Sequence, residues 1–178
     1  IGGYPGAKFL VRVDHKGITL EMEDIEQISI FDKCEAVLFL CASTVKDPRK
    51  ADGIFDFLVG YLEECLSSKF LLGNDSVIRE LLNKVYLKLS ENQWNYGEYR
   101  SALRCAVAAY SYSDGEDIYS LTVIARCQYE LKLWSQCHLT YGDIIENWDV
   151  DTYGGRQVDY EIDYAYALYC SGRPQEAL

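Results

Sequence analysis

The sequence predicts a mainly helical chain with a short β-hairpin near its N-terminal end. In residues 1–22 hydrophobic side chains alternate with a period of two, which is typical of strands. From residue 23 onward they recur at helical spacing. The change of period predicts two units: a hairpin segment over residues 1–22, resembling the end of a preceding domain, and a helical domain over residues 23–178.

The two predicted strands surround a short loop that ends at Gly17. Their alternating hydrophobic residues are Phe9, Val11 and Val13 in the first strand and Ile18, Leu20 and Met22 in the second.

Three helices are predicted before the middle of the chain. Apolar spacing predicts the first over residues 24–42. A polar break over residues 44–52, which contains Asp47-Pro48, precedes a second helix over residues 53–67. Residues 73–76 combine a glycine stop with capping side chains, so a long helix is expected over residues 77–94.

The charge of the chain limits its partners. Its 178 residues include 17 Lys and Arg against 28 Asp and Glu, a net charge of −11. An acidic surface repels phosphate, so we expect protein or peptide partners and no direct nucleic-acid contact by this segment. The longest apolar run covers only residues 36–42, which excludes a membrane-spanning helix. The composition predicts no oligomeric state.

The cysteines predict a reducing compartment. There are seven, an odd number, and no C-x-x-C pair occurs. Free cysteine packs as a small hydrophobic residue, and most of these lie in apolar surroundings. We therefore expect reduced thiols and a cytoplasmic location.

A short phrase recurs three times in the second half of the chain, at residues 97–102, 132–137 and 172–177. Each phrase has a turn residue, a bulky or ring side chain two positions later, and a small side chain three positions after that. Each follows an amphipathic segment. The offsets of 35 and 40 residues predict a repeated helix pair.

This pattern over residues 83–178 resembles the tetratricopeptide repeat family, and it implies antiparallel helix pairs. The family's small residue in the first helix matches Ser90, Ala125 and Ala165, and its later packing residue matches Tyr141 well and Ala106 poorly. The repeat is degenerate, because Lys132 stands where the family has glycine. An irregular helical bundle is the alternative.

In that family the first helices of the repeats line a concave groove that holds a peptide or a helix. The resemblance therefore implies partner-binding residues at the matching positions: Trp94, Arg126, Tyr129, Glu130, Tyr166 and Tyr169. Tyrosine and tryptophan are good anchors because they combine large area with few rotatable bonds. The alternative interpretation is that these rings fill the core between helices.

Catalysis, metals and cofactors are not expected in this segment. No catalytic or nucleotide-binding motif occurs, and the two histidines, His15 and His138, are far apart in the sequence. Neighbours on a helix point in different directions, so Cys137 and His138 form no dyad. Residues 149–154 are similar to a calcium loop but place Tyr153 where an oxygen ligand belongs.

Three functions remain open at this stage. The first is a protein-interaction scaffold that binds a peptide or helix in the groove. The second follows from residues 6–14, which resemble the last hairpin of a winged-helix domain. That resemblance implies the activation domain of a bacterial transcriptional regulator whose DNA-binding module lies mostly upstream. The third is a chaperone of type III secretion, a family that is helical throughout.

Overall fold

A computed structural model of the chain describes residues 9–14, 17–22, 48–67, 75–113, 117–147 and 157–177. Helices account for most of these residues, so the predicted mainly helical class is confirmed. The helix predicted over residues 24–42 and the calcium-like loop at residues 149–154 lie outside the described residues. So do residues 73 and 74 of the predicted cap, whereas Asp75 and Ser76 lie in the first turn of the following helix, which begins two residues earlier than predicted.

Two strands lie near the N-terminal end of the chain. Strand β1 (Phe9–Asp14) pairs with strand β2 (Gly17–Met22) in antiparallel orientation. Phe9 is opposite Met22, and Asp14 is opposite Gly17.

The described residues then form six helices: α1 (Pro48–Ser67), α2 (Asp75–Asn95), α3 (Tyr99–Tyr112), α4 (Ile118–Glu130), α5 (Trp134–Glu146) and α6 (Gln157–Cys170), with a short 3-10 turn at Pro174–Glu176. Each of these helices contacts the next one along the chain, and α2 also contacts α4. Helices that follow each other in the sequence therefore also pack against each other in space.

Helix α1 begins earlier than the sequence analysis predicted. The expected break over residues 44–52 is wrong from Pro48 onward, where the helix starts. Proline favours the first helical position, because its missing N–H has no partner there anyway. Asp52 lies inside α1, and its carboxylate accepts a hydrogen bond from the Asn92 amide at 3.3 Å.

The hydrophobic core has two parts. One lies between α1 and α2 and includes Leu58, Leu62, Leu81, Leu82 and Val85. The other is built from α3, α4, α5 and α6 and includes Ala106, Ala109, Ile124, Tyr141 and Ala167. Tyr86 contacts both parts, so the core is continuous from α1 to α6.

The three repeated phrases form turns of the same backbone geometry. Gly97, Lys132 and Gly172 all have positive φ, at 75°, 57° and 85°. In each turn the amide of the following residue donates a hydrogen bond to the carbonyl five residues before it, as Glu98 does to Gln93 at 2.9 Å. This is the Schellman end of a helix, which favours glycine at the left-handed position.

Small residues lie where the helices of a pair cross. Ser90 of α2 and Ala102 of α3 are fully buried, as are Ala125 of α4 and Cys137 of α5. The Ser90 hydroxyl donates to the Ala102 carbonyl at 2.7 Å, and the Cys137 thiol donates to the Ala125 carbonyl at 3.6 Å. A larger side chain at these positions would push the helices apart.

Candidate functional site

Helices α2, α4 and α6 lie side by side, although each is separated from the next by another helix in the sequence. The Tyr119 hydroxyl of α4 donates a hydrogen bond to the Glu91 carboxylate of α2. The Tyr129 ring of α4 lies 5.7 Å from the Tyr166 ring of α6, measured between centroids. We call this shared face of the three helices the groove face.

Polar side chains fix α4 against α2. The Asn83 amide donates to the Ala109 carbonyl at 3.0 Å and to the Asp117 carboxylate at 3.1 Å. The same carboxylate caps α4, because it accepts the Tyr119 amide at 3.0 Å. The spacing between α2 and α4 is therefore fixed by hydrogen bonds as well as by packing.

A pocket of about 230 Å³ lies on the groove face. It is smaller than the roughly 300–1,000 Å³ of typical small-molecule sites. The residues that line it come from α2, α4, α5 and α6: Trp94, Arg126, Tyr129, Glu130, Tyr141 and Asp163.

Five of the six predicted groove residues are in or beside this pocket. Trp94, Arg126, Tyr129 and Glu130 line it together. Tyr166 packs against the Tyr129 ring and, at 5.7 Å between centroids, against Trp134.

Tyr169 is the exception among the predicted residues. It is 66% exposed and does not line the pocket. It lies three residues after Tyr166 on α6, so it extends the same helix face beyond the pocket.

Sequence reasoning missed two lining residues. Tyr141 was assigned to packing only; its ring is buried, but its hydroxyl donates to the Asp163 carboxylate at 3.2 Å. Asp163 was not singled out at all. Its position three residues before Tyr166 on the same helix is the signal that could have found it.

Tyr119, Tyr129 and Tyr141 stay protonated over the physiological range, because the pKa of each is raised. Burial raises the pKa of Tyr141, and the charge of Asp163 raises it further. Burial also raises the pKa of Tyr129. The hydrogen bond to Glu91 is the main cause that raises the pKa of Tyr119 to about 12. These hydroxyls therefore act as neutral donors.

The nearby side chains of Cys127, Cys137 and His138 have structural roles. Burial raises the pKa of Cys127 and of Cys137 to about 12, which keeps both as thiols. His138 accepts the Arg173 guanidinium at Nε2, at 2.9 Å, because arginine can only donate. Its Nδ1 then donates to the Trp134 carbonyl at 3.0 Å.

Within the described ranges, no group of three or more His, Cys, Asp or Glu side chains is arranged to hold a metal ion. None of the helices described here has the length and apolar character needed to cross a membrane.

Comparisons with protein-family models, with curated proteins and with solved structures gave no match to this chain.

Proposed function

We propose that this chain is a protein-interaction scaffold of tetratricopeptide-like helix pairs that binds a peptide or a helix on its groove face. One observation carries the proposal. Trp94, Arg126, Tyr129 and Glu130, which come from two helices, line one pocket together with Asp163 of a third helix.

The shared turn geometry supports the repeat. Gly97, Lys132 and Gly172 lie 35 and 40 residues apart and have the same left-handed backbone. The equivalent small residues Ser90 and Ala125 are both buried against the second helix of their pair. Three turns of the same geometry, each followed by a bulky and then a small side chain, favour a repeated helix pair over an irregular bundle.

The kind of ligand follows from the size and exposure of the site. The pocket has room for one side chain, and exposed apolar side chains continue beside it along α6. Ile162, Tyr166 and Tyr169 are 63%, 49% and 66% exposed. A stretch of large apolar residues on one helix face, next to a polar pocket, is typical of a surface that holds an extended or helical segment.

The test uses peptides selected from a display library of random 12-residue sequences on the purified 178-residue chain. We expect the double substitution Tyr129→Ala and Tyr166→Ala to weaken peptide binding at least about tenfold, as loss of aromatic anchors does. Fluorescence anisotropy measures the affinity, and thermal unfolding measures the stability of the variant.

The matched control is Val107→Ala with Leu139→Ala, which removes two exposed apolar side chains from α3 and α5. This variant should bind the selected peptides as the wild type does. Equal losses of affinity in the two variants would contradict the groove. A loss of folding in the tyrosine variant that matches its loss of binding would show that these rings are core.

A further inference from the structure

The pocket on the groove face combines aromatic rings with carboxylates. Trp94 and Tyr129 contribute rings, Glu130 and Asp163 contribute carboxylates, and the buried Tyr141 contributes the hydroxyl that donates to Asp163. Aromatic faces attract cations through their negative quadrupole, and carboxylates attract them directly. The one cation in the pocket is Arg126, so its six side chains together have one net negative charge.

The carboxylates have unused hydrogen-bonding capacity. Asp163 accepts the Tyr141 hydroxyl at Oδ2, and its Oδ1 accepts no hydrogen bond from any described residue. The Glu130 carboxylate likewise forms no salt bridge within the described residues. An ionised carboxylate can only accept hydrogen bonds, so both groups can accept one from a donor on another molecule.

Arg126 offsets part of the negative charge of these carboxylates but does not pair with either of them. It lies one helical turn before Glu130, yet it forms no salt bridge with Glu130 or Asp163 in the part of the chain that the structure describes. Its side chain is exposed. Arg126 therefore lowers the negative potential of the pocket without filling its hydrogen-bonding positions.

We propose that the pocket receives the arginine side chain of a bound segment, with Asp163 and Glu130 accepting from the guanidinium and the aromatic rings packing against its plane. Arginine fits better than lysine, because its flat group matches both a carboxylate and an aromatic face. The inference rests on the proposed function. The acidic net charge of −11 favours a basic partner over the whole surface as well.

The neighbouring surface defines the rest of the segment. Ile162, Tyr166 and Tyr169 form an exposed row along α6, and Asp163 lies beside this row, three residues before Tyr166. The bound segment is therefore basic and apolar: an arginine for the pocket, followed by apolar side chains for the row along α6.

The experiment uses the peptides selected on the chain and their counterparts with citrulline in place of arginine. Citrulline keeps the shape of arginine and removes its charge. We expect an arginine beside apolar residues in the selected sequences, and at least about tenfold weaker binding after its replacement by citrulline.

Two substitutions on the chain sharpen the test because they act in opposite directions. Asp163→Asn keeps the acceptor for Tyr141 and removes the charge, so the arginine peptide should lose about tenfold while the citrulline peptide is unchanged. Arg126→Gln removes the competing cation, so the arginine peptide should bind about threefold more tightly. Glu161→Gln, an equal charge change at an exposed position on α6, is the control.

The outcomes separate the two proposals. Selected peptides that depend on Tyr129 and Tyr166 but bind equally well with citrulline would overturn the arginine pocket and leave the scaffold standing. An acidic residue in the selected peptides, with binding lost in Arg126→Gln, would overturn it in the same way. If no peptide is selected, or if binding ignores the tyrosines, both proposals fail.

Discussion

In each of the helix pairs α2–α3 and α4–α5, a hydrogen bond joins the two helices where their small residues meet. The donor lies on the first helix in one pair and on the second helix in the other. In the first pair the donor is Ser90, on the first helix, and the acceptor is the Ala102 carbonyl. In the second pair the donor is Cys137, on the second helix, and the acceptor is the Ala125 carbonyl. The pairs share a limit on side-chain volume where the helices cross, and either helix can supply the polar atom.

The two pairs differ more in the packing residue that lies one helical turn after that contact. The packing position four residues after the small residue is Ala106 in α3 and Tyr141 in α5, and both are buried. The first pair gains packing elsewhere. The rings of Tyr86 and Tyr112 stack at 5.9 Å, and both hydroxyls donate to Glu63 of α1. The first pair thus depends on α1, whereas the second contains its own large core residue.

Of the substitutions that test this comparison, Tyr141→Ala should have the largest effect on the unfolding free energy. Removing a fully buried ring leaves a cavity in α4–α5 and costs about 3–5 kcal/mol of unfolding free energy. Tyr141→Phe, which removes only the hydrogen bond to Asp163, should cost about 1 kcal/mol. Urea denaturation measures both. Equal effects of the two substitutions would mean that the ring itself contributes little.

Ala102→Leu tests the volume limit in the first pair. Overpacking a fully buried crossing point should cost about 1–3 kcal/mol, because neither helix can move without opening its own core. Val107→Leu, at an exposed position on the same helix, is the matched control and should leave the denaturation midpoint unchanged. An unchanged midpoint for Ala102→Leu would argue against the crossing contact.

The turns should respond in opposite directions, with the smallest effects. A side chain at positive φ is strained, so Gly97→Ala should destabilise the chain by about 1 kcal/mol, and Lys132→Gly should stabilise it by about 0.5–1 kcal/mol. Gly60→Ala in α1 controls for chain entropy, because nothing lies within 4 Å of the added methyl group and the change should stabilise. Thermal unfolding of the three variants would reveal the signs, and a stabilising Gly97→Ala would contradict the strain.

The sequence predicted the turns better than the start of α1. A turn residue followed by a ring and a small side chain depends on residues close in sequence, so Lys132 could be identified despite the missing glycine. The start of α1 was placed too late because Pro48 was interpreted as a breaker, although proline suits the first turn of a helix. Proline breaks a helix when it lies in the interior, but it favours the first helical position.

The pocket was only partly predictable, because it depends on distances across helices. The resemblance gave Trp94 and Tyr129 from their places in a repeat. Tyr141 comes from the second helix of its pair, and its hydroxyl contacts Asp163, which lies 22 residues away in the sequence. No local pattern encodes such a contact, whereas the helical spacing from Tyr166 would have identified Asp163.

The turns at Gly97, Lys132 and Gly172 close through main-chain hydrogen bonds, and the helices that follow the first two begin without a side-chain cap. Their geometry is therefore nearly independent of which side chains surround them. Substitutions at exposed residues of these turns, such as Glu98 and Leu133, should therefore leave the shape of the helix pair unchanged. Turns built in this way allow the surface around them to change by mutation without loss of the helix architecture.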